Sequence, residues 1–263
     1  MNTVHFILFN FYIGCWLGVY ALLFSRNTHF GMNRFMLLAG IFLSMALPFV
    51  SFPAVSHPAA VLSDVMIRPV INMSRTNVMA LPVQPVPAFS AWQCILILYW
   101  SGVAIMFFLF VRKLVRVRAH IKNFPKRSCS GYIHVITLHR RDIFSFGKYL
   151  FAPADIPEIV YKHELVHILE KHSVDNLLME IVKIFCWFNP VVYLYQREMK
   201  VVHEYIADAR VTASIDKSDY AHLLVSYLFQ VSKATLTHRF FNRSQLQKRL
   251  IMLQKKNSSR NAA

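Results

Sequence analysis

Formal charge is nearly missing from the first 111 residues. Arg26, Arg34, Asp64, Arg68 and Arg75 are the only charged side chains there, although the 263-residue chain carries 29 Lys and Arg and 13 Asp and Glu. Soluble domains hold about 25% charged residues, so this stretch is not composed for water. Acidic residues are scarce throughout, which leaves a formal net charge of +16. Cysteine is sparse as well: Cys15, Cys94, Cys129 and Cys186 lie far apart, with no CxxC pair, which excludes a disulfide framework and predicts free thiols. The amino terminus lacks both a basic leading region and a small-residue cleavage site. The first apolar run is therefore expected to be retained and not removed as a signal peptide.

What fills the first 111 residues is apolar. Val4 to Phe24, Phe35 to Phe52 and Ala91 to Val111 contain no Asp or Glu and, within the runs, no Lys or Arg. At 1.5 Å per residue a run of about 20 residues crosses a hydrocarbon core of about 30 Å. Three membrane helices are expected. Residues 53–88 carry six prolines and resist regular structure, which suits an external loop. After the third run come Arg112, Lys113, Arg116, Arg118, Lys122, Lys126 and Arg127. Under the positive-inside rule this end is cytoplasmic and the amino terminus is outside, as in a multi-pass protein of the bacterial inner membrane. So many cations beside a span point to anionic lipid headgroups as partner, with no direct nucleic-acid binding expected. Gly14 and Gly18 form a GxxxG pair, a candidate homodimer contact. The expected division is a transmembrane region over residues 1–111 and a cytoplasmic domain over 112–263.

The second part reads as α+β. Tyr132 to Leu138 alternates like a strand, and Phe144 to Phe151 makes a β-like stretch interrupted by Gly147. Asp155-Ile-Pro-Glu158 has the composition of a helix start, with Asp155 as the capping acid. Residues 177–195 are apolar but contain Glu180, Lys183 and Asn189-Pro190. They predict two helices meeting at Asn189-Pro190, their apolar faces buried in the domain or resting on the bilayer surface.

The chemistry lies in His163-Glu164-Leu165-Val166-His167. Residues four apart share a helix face, so both imidazoles can reach one metal with Glu164 beside them. A catalytic zinc takes three protein ligands and a water. A metzincin would continue with a glycine and then a histidine at the two positions that Glu170 and Ser173 occupy here, so that class is excluded, and His172 misses the spacing by one. Glu204 is the better candidate for third ligand. Asp208, one turn on, would accept the free ring N–H of a ligand histidine. His203 is an alternative ligand, although it points roughly 100° away from Glu204 on the same helix. Glu164 would act as general base, and the strand near Phe144 to Phe151 could pair with an extended substrate. The expected cofactor is Zn2+.

Three apolar spans, a basic exit, Phe144-Ser-Phe-Gly-Lys-Tyr-Leu-Phe151, the zinc motif, Trp187-Phe-Asn-Pro190 and Glu204-Tyr-Ile-Ala-Asp208 together resemble the BlaR/MecR-type membrane metallopeptidases, antirepressor signal transducers of β-lactamase-type responses. The resemblance implies an α-helical membrane protein carrying a mainly helical, gluzincin-like zinc-peptidase domain. It also implies His163, His167 and Glu204 as zinc ligands and Glu164 as catalytic residue. The activity implied is regulated proteolysis of itself or of a cytoplasmic repressor. Family sensors continue into a fourth span and an external ligand-binding domain, so the sequence reads as a truncated form without that sensor. Ser145-Phe-Gly-Lys148 and Ser214-Ile-Asp-Lys217 match the acylating SxxK pattern but lack its partner motifs, and are read as chance matches. Two alternatives carry the same motifs: a membrane quality-control protease of the heat-shock or prenyl-protein type, and a non-catalytic scaffold with a structural zinc site.

Overall fold

A computed structural model describes residues 3–50, 90–138, 143–231 and 236–255. The expected external loop lies outside these. Three helices are long and apolar enough to cross a membrane. Helix α1 (Thr3–Val19) runs on as a π-helical turn over Tyr20–Phe24, and α2 (Phe30–Ala46) closes with a 3-10 turn over Leu47–Phe49. Helix α3 (Ala91–Asn123) starts at a capping box in which the Ser90 side chain accepts from Trp92 N–H and Gln93 accepts from Ser90 N–H. It does not stop at Val111 but carries the basic run onward as far as Asn123.

A four-stranded sheet follows in the order β1-β2-β4-β3, made of β1 (Lys126–Cys129), β2 (Tyr132–Ile136), β3 (Phe144–Phe146) and β4 (Tyr149–Ala152). The anticipated stretch at 144–151 is a hairpin. Gly147 turns it at φ 59°, a conformation that costs glycine nothing, and Phe144 stacks on Phe151 across the pair. Strands β2 and β4 pair in parallel, which leaves β3 at an edge. Leu150 and Ala152 bury against Ile168 of helix α4 (Glu158–Leu169), so the sheet lies directly on the helix that carries the HELVH motif. Pro157, not Asp155, occupies the N-cap of α4, because the helix begins two residues later than the capping pattern suggested. The remaining helices are α5 (His172–Phe185), α6 (Pro190–Val211), α7 (Lys217–Val231) and α8 (Leu236–Gln254).

Helices α5 and α6 do meet at Asn189-Pro190, where the Asn189 side chain caps α6 by accepting from Val191 N–H. Part of their apolar surface is buried against the apolar helices, while Ile181, Phe185 and Leu194 stay exposed. Met179, Val192, Tyr195, Met199 and Val202 share one core with Phe9 and Ile13 of α1 and Leu37 and Ile41 of α2. The corner between them docks on the apolar helices as well. Asn189 Nδ2 donates to Asn10 Oδ1 at 2.8 Å, Trp187 Nε1 donates to the Tyr99 carbonyl at 3.3 Å, and Tyr99 Oη donates to the Phe185 carbonyl at 3.0 Å. Gly102 admits the Trp187 indole, since a Cβ there would lie 2.2 Å from its nearest ring atom. Of the GxxxG pair, Gly14 faces Val191 of α6, whereas Gly18 borders open space.

Candidate metal centre

Helix α4 presents His163 and His167 one turn apart, and α6 crosses it with Glu204. His163 Nε2 lies 3.3 Å from His167 Nε2. The Glu204 carboxylate reaches within 3.4 Å of His163 Nε2 and 3.6 Å of His167 Nε2. Ligands about 2.0–2.2 Å from a tetrahedral zinc stand roughly 3.3–3.6 Å from each other, so the three donors already have the spacing such an ion requires. These are the residues among those described whose donor atoms could hold a metal, all within 4.8 Å of one another. His203, the alternative, turns away: it stacks on His172 with centroids 4.0 Å apart, and its Nε2 meets Asp175 at 2.8 Å.

Asp208 does not bond the ligand histidine directly. Its Oδ1 is 3.5 Å from His163 Nδ1, and the Tyr220 hydroxyl bridges them, donating to Asp208 at 2.6 Å and lying 3.0 Å from His163 Nδ1. A carboxylate can only accept, so the phenol oxygen is left to accept from His163 Nδ1–H, and that tautomer turns the bare Nε2 lone pair toward the centre. Burial raises the Tyr220 pKa, keeping the hydroxyl protonated for this task. Arg249 of α8 grips the same group, pairing with both Asp208 oxygens and, at 2.9 Å, with Glu204.

The second histidine has its own support. His167 Nδ1 is 2.7 Å from His172 Nδ1. His172 stacks on His203, His203 bonds Asp175, and Asp175 receives Arg34 of α2 at 2.7 Å and 3.3 Å. This line of polar groups runs from the centre to the start of the second apolar helix. The Lys171 backbone, at φ 56°, makes the sharp turn that places His172 under His167. His172 Nε2 is buried without a hydrogen-bond partner.

Electrostatics favour neutral imidazole at His167, which burial drives down to about 4, with His163 and His203 adding to the effect against Glu204. Burial is the largest effect on His163 and pushes it down, but the hydrogen bond to Glu204 and the negative charges of Glu204 and Asp208 together outweigh it and the net shift is upward. For Glu204, burial acts upward, but Arg249 and the two histidines hold the carboxyl well below the usual range. Burial raises Glu164, with His163 and the Ser145 hydroxyl restraining the rise. Ser145 lies on edge strand β3. Lys148, the other end of the first SxxK match, follows Gly147 in the hairpin turn.

Reading from sequence missed Tyr220, Arg249, Asp175 and Arg34. Arg34 carried a signal, being one of two charges in the first 50 residues; a lone cation beside an apolar span needs a partner. Tyr220 and Arg249 had none, since nothing local marks them.

Two imidazoles and a carboxylate at the spacing of zinc ligands, in a chain with three helices long and apolar enough to cross a membrane, are a donor set of the kind a metallopeptidase uses. The comparisons agree. Residues 149–253, two-fifths of the chain, match the family described as BlaR1 peptidase M56. The regulatory protein BlaR1 of Bacillus licheniformis is 33% identical over 87 residues, a stretch covering 33% of this chain and 14% of that relative. The chain thus matches about a seventh of the relative's length.

Proposed function

We propose that this chain is a membrane-embedded zinc metalloendopeptidase acting in signal transduction, by regulated proteolysis of itself or of a cytoplasmic transcriptional repressor. In this reading His163, His167 and Glu204 hold the zinc, Glu164 is the general base, and residues 112–263 form the peptidase domain on the cytoplasmic side of a three-span region. The mutual spacing of the three donor atoms carries the proposal. Bound there, zinc would supply Lewis acidity for the scissile carbonyl and the attacking water. Glu164 takes the proton from that water and returns it to the leaving amine. Burial raises its basicity, the direction a general base requires. Tyr220 and Asp208 hold the His163 tautomer. The outer edge of β3 is open to pair with an extended peptide, which would bring a scissile bond alongside α4.

The test separates metal from chemistry. Glu164→Gln should keep about one zinc per chain while cleavage falls by about two to four orders of magnitude. Glu204→Ala should lower zinc content. Cleavage that survives Glu164→Gln, or unchanged zinc in Glu204→Ala, would remove the assignment. Candidate substrates are the chain itself and, where the adjoining gene encodes a winged-helix repressor, that purified repressor. Cleavage of unrelated misfolded membrane proteins instead would indicate a quality-control protease.

A further inference from the structure

A cavity of about 300 Å3 lies beside the metal centre, on the far side of Arg249. One wall is the turn between α1 and α2, with Thr28 and Phe30; the others come from α6, the start of α7 and the end of α8. Three cations line it, Lys217, Arg249 and Lys255, against Asp208 as its one acid. That acid is already taken up by Arg249 and Tyr220. Lys255 donates to the Arg26 carbonyl, which fastens the end of α8 to the turn between the two apolar helices. Lys217 and Lys255 are exposed at the rim. The remaining walls are amphipathic, with Phe30, Tyr205, Met252 and Leu253 facing the same space.

Place and chemistry go together. Phe30 is the first residue of α2, and Phe24 ends the preceding apolar helix, so the cavity opens where the chain enters a bilayer. A basic rim there meets anionic headgroups, each Lys or Arg contributing about 1 kcal/mol of attraction near such a surface. The volume suits a glycerophosphate-sized group, at the lower end of ligand cavities of about 300–1,000 Å3. A free phosphate would satisfy Lys217 and Lys255 but leave the Phe30, Met252 and Leu253 wall uncovered.

We propose that this cavity binds the phosphate headgroup of an anionic phospholipid, with Lys217 and Lys255 as its cationic partners and the Phe30 wall receiving the start of the acyl region. Occupancy would place an anion next to Arg249, the residue that also pairs with Glu204 and Asp208. Lipid composition would thereby reach the centre through one side chain. The binding itself does not rest on the metallopeptidase reading, since it is measured without zinc or proteolysis.

The full chain, purified in neutral detergent, is titrated with dioctanoyl phosphatidylglycerol, dioctanoyl phosphatidylcholine or inorganic phosphate. Retained ligand is counted by native mass spectrometry. The expected result is one phosphatidylglycerol held per chain, with phosphatidylcholine and inorganic phosphate failing to compete. The Lys217→Glu, Lys255→Glu double variant should weaken this binding by about tenfold or more. Ala213→Trp, which keeps the charges but fills the lined space, should weaken it comparably. Lys148→Ala, in the exposed β3–β4 turn and outside the cavity lining, should leave it unchanged. Competition by inorganic phosphate at equal concentration would overturn the lipid assignment in favour of a free-phosphate site. Binding untouched by Ala213→Trp, or lost in Lys148→Ala, would overturn the cavity itself. Unchanged thermal unfolding midpoints show that each variant is folded.

Discussion

Tyr220 is the residue on which the orientation of His163 turns. Its hydroxyl has one proton, donated to an acid that can only accept, so its oxygen fixes which ring nitrogen of His163 carries hydrogen. Tyr220→Phe removes that constraint while keeping the buried ring. Zinc affinity should fall about 10–100-fold, the usual range for partners of metal-ligating histidines, while the fold persists. Competition with a chromophoric chelator measures the first and circular dichroism the second. Unchanged affinity would reduce Tyr220 to packing. His163, Glu164, His167, Glu204 and Asp208 could all be picked out from sequence, because four-residue spacing on a helix dictates a shared face whatever surrounds it. Tyr220 could not, since it lies 57 residues from the histidine it serves.

Among elements, the α5–α6 pair departs most from a soluble domain. Its length and its break at Asn189-Pro190 follow from local rules, the proline lacking a donor and the asparagine supplying a cap. Its placement against α1, α2 and α3 does not, because it depends on which apolar surface is available to bury it. Gly102 is the tightest point of that docking. Gly102→Leu would drive a side chain into the Trp187 indole, and overpacking of this kind costs about 1–3 kcal/mol. A lowered unfolding temperature in detergent is expected, with relief in the Gly102→Leu, Trp187→Ala pair. Equal destabilisation in both would show that the contact is not limiting.

At the scale of the molecule, the first two apolar helices and helices α5 and α6 share one core, so the donor residues are fixed relative to the apolar helices. Arg34 extends that link, joining the start of α2 to Asp175 and through it to the histidines. Orientation across the membrane can be measured with Cys129, which lies on β1 beyond α3. With Cys15, Cys94 and Cys186 changed to Ser, an impermeant maleimide should label Cys129 in opened cells and spare it in intact ones. Labelling of intact cells would invert the proposed topology.

Sequence alone determined the apolar spans, the basic exit, the β-like stretch interrupted by Gly147 and the two-histidine helix. Each follows from hydropathy, charge or periodicity within a few neighbouring residues. Only the tertiary structure decided which groups surround the metal ligands. Arg249 reaches Asp208 across 41 residues and Arg34 reaches Asp175 across 141. Contacts over such separations arise when buried charges and apolar faces find partners in the packed chain, and no local pattern encodes them.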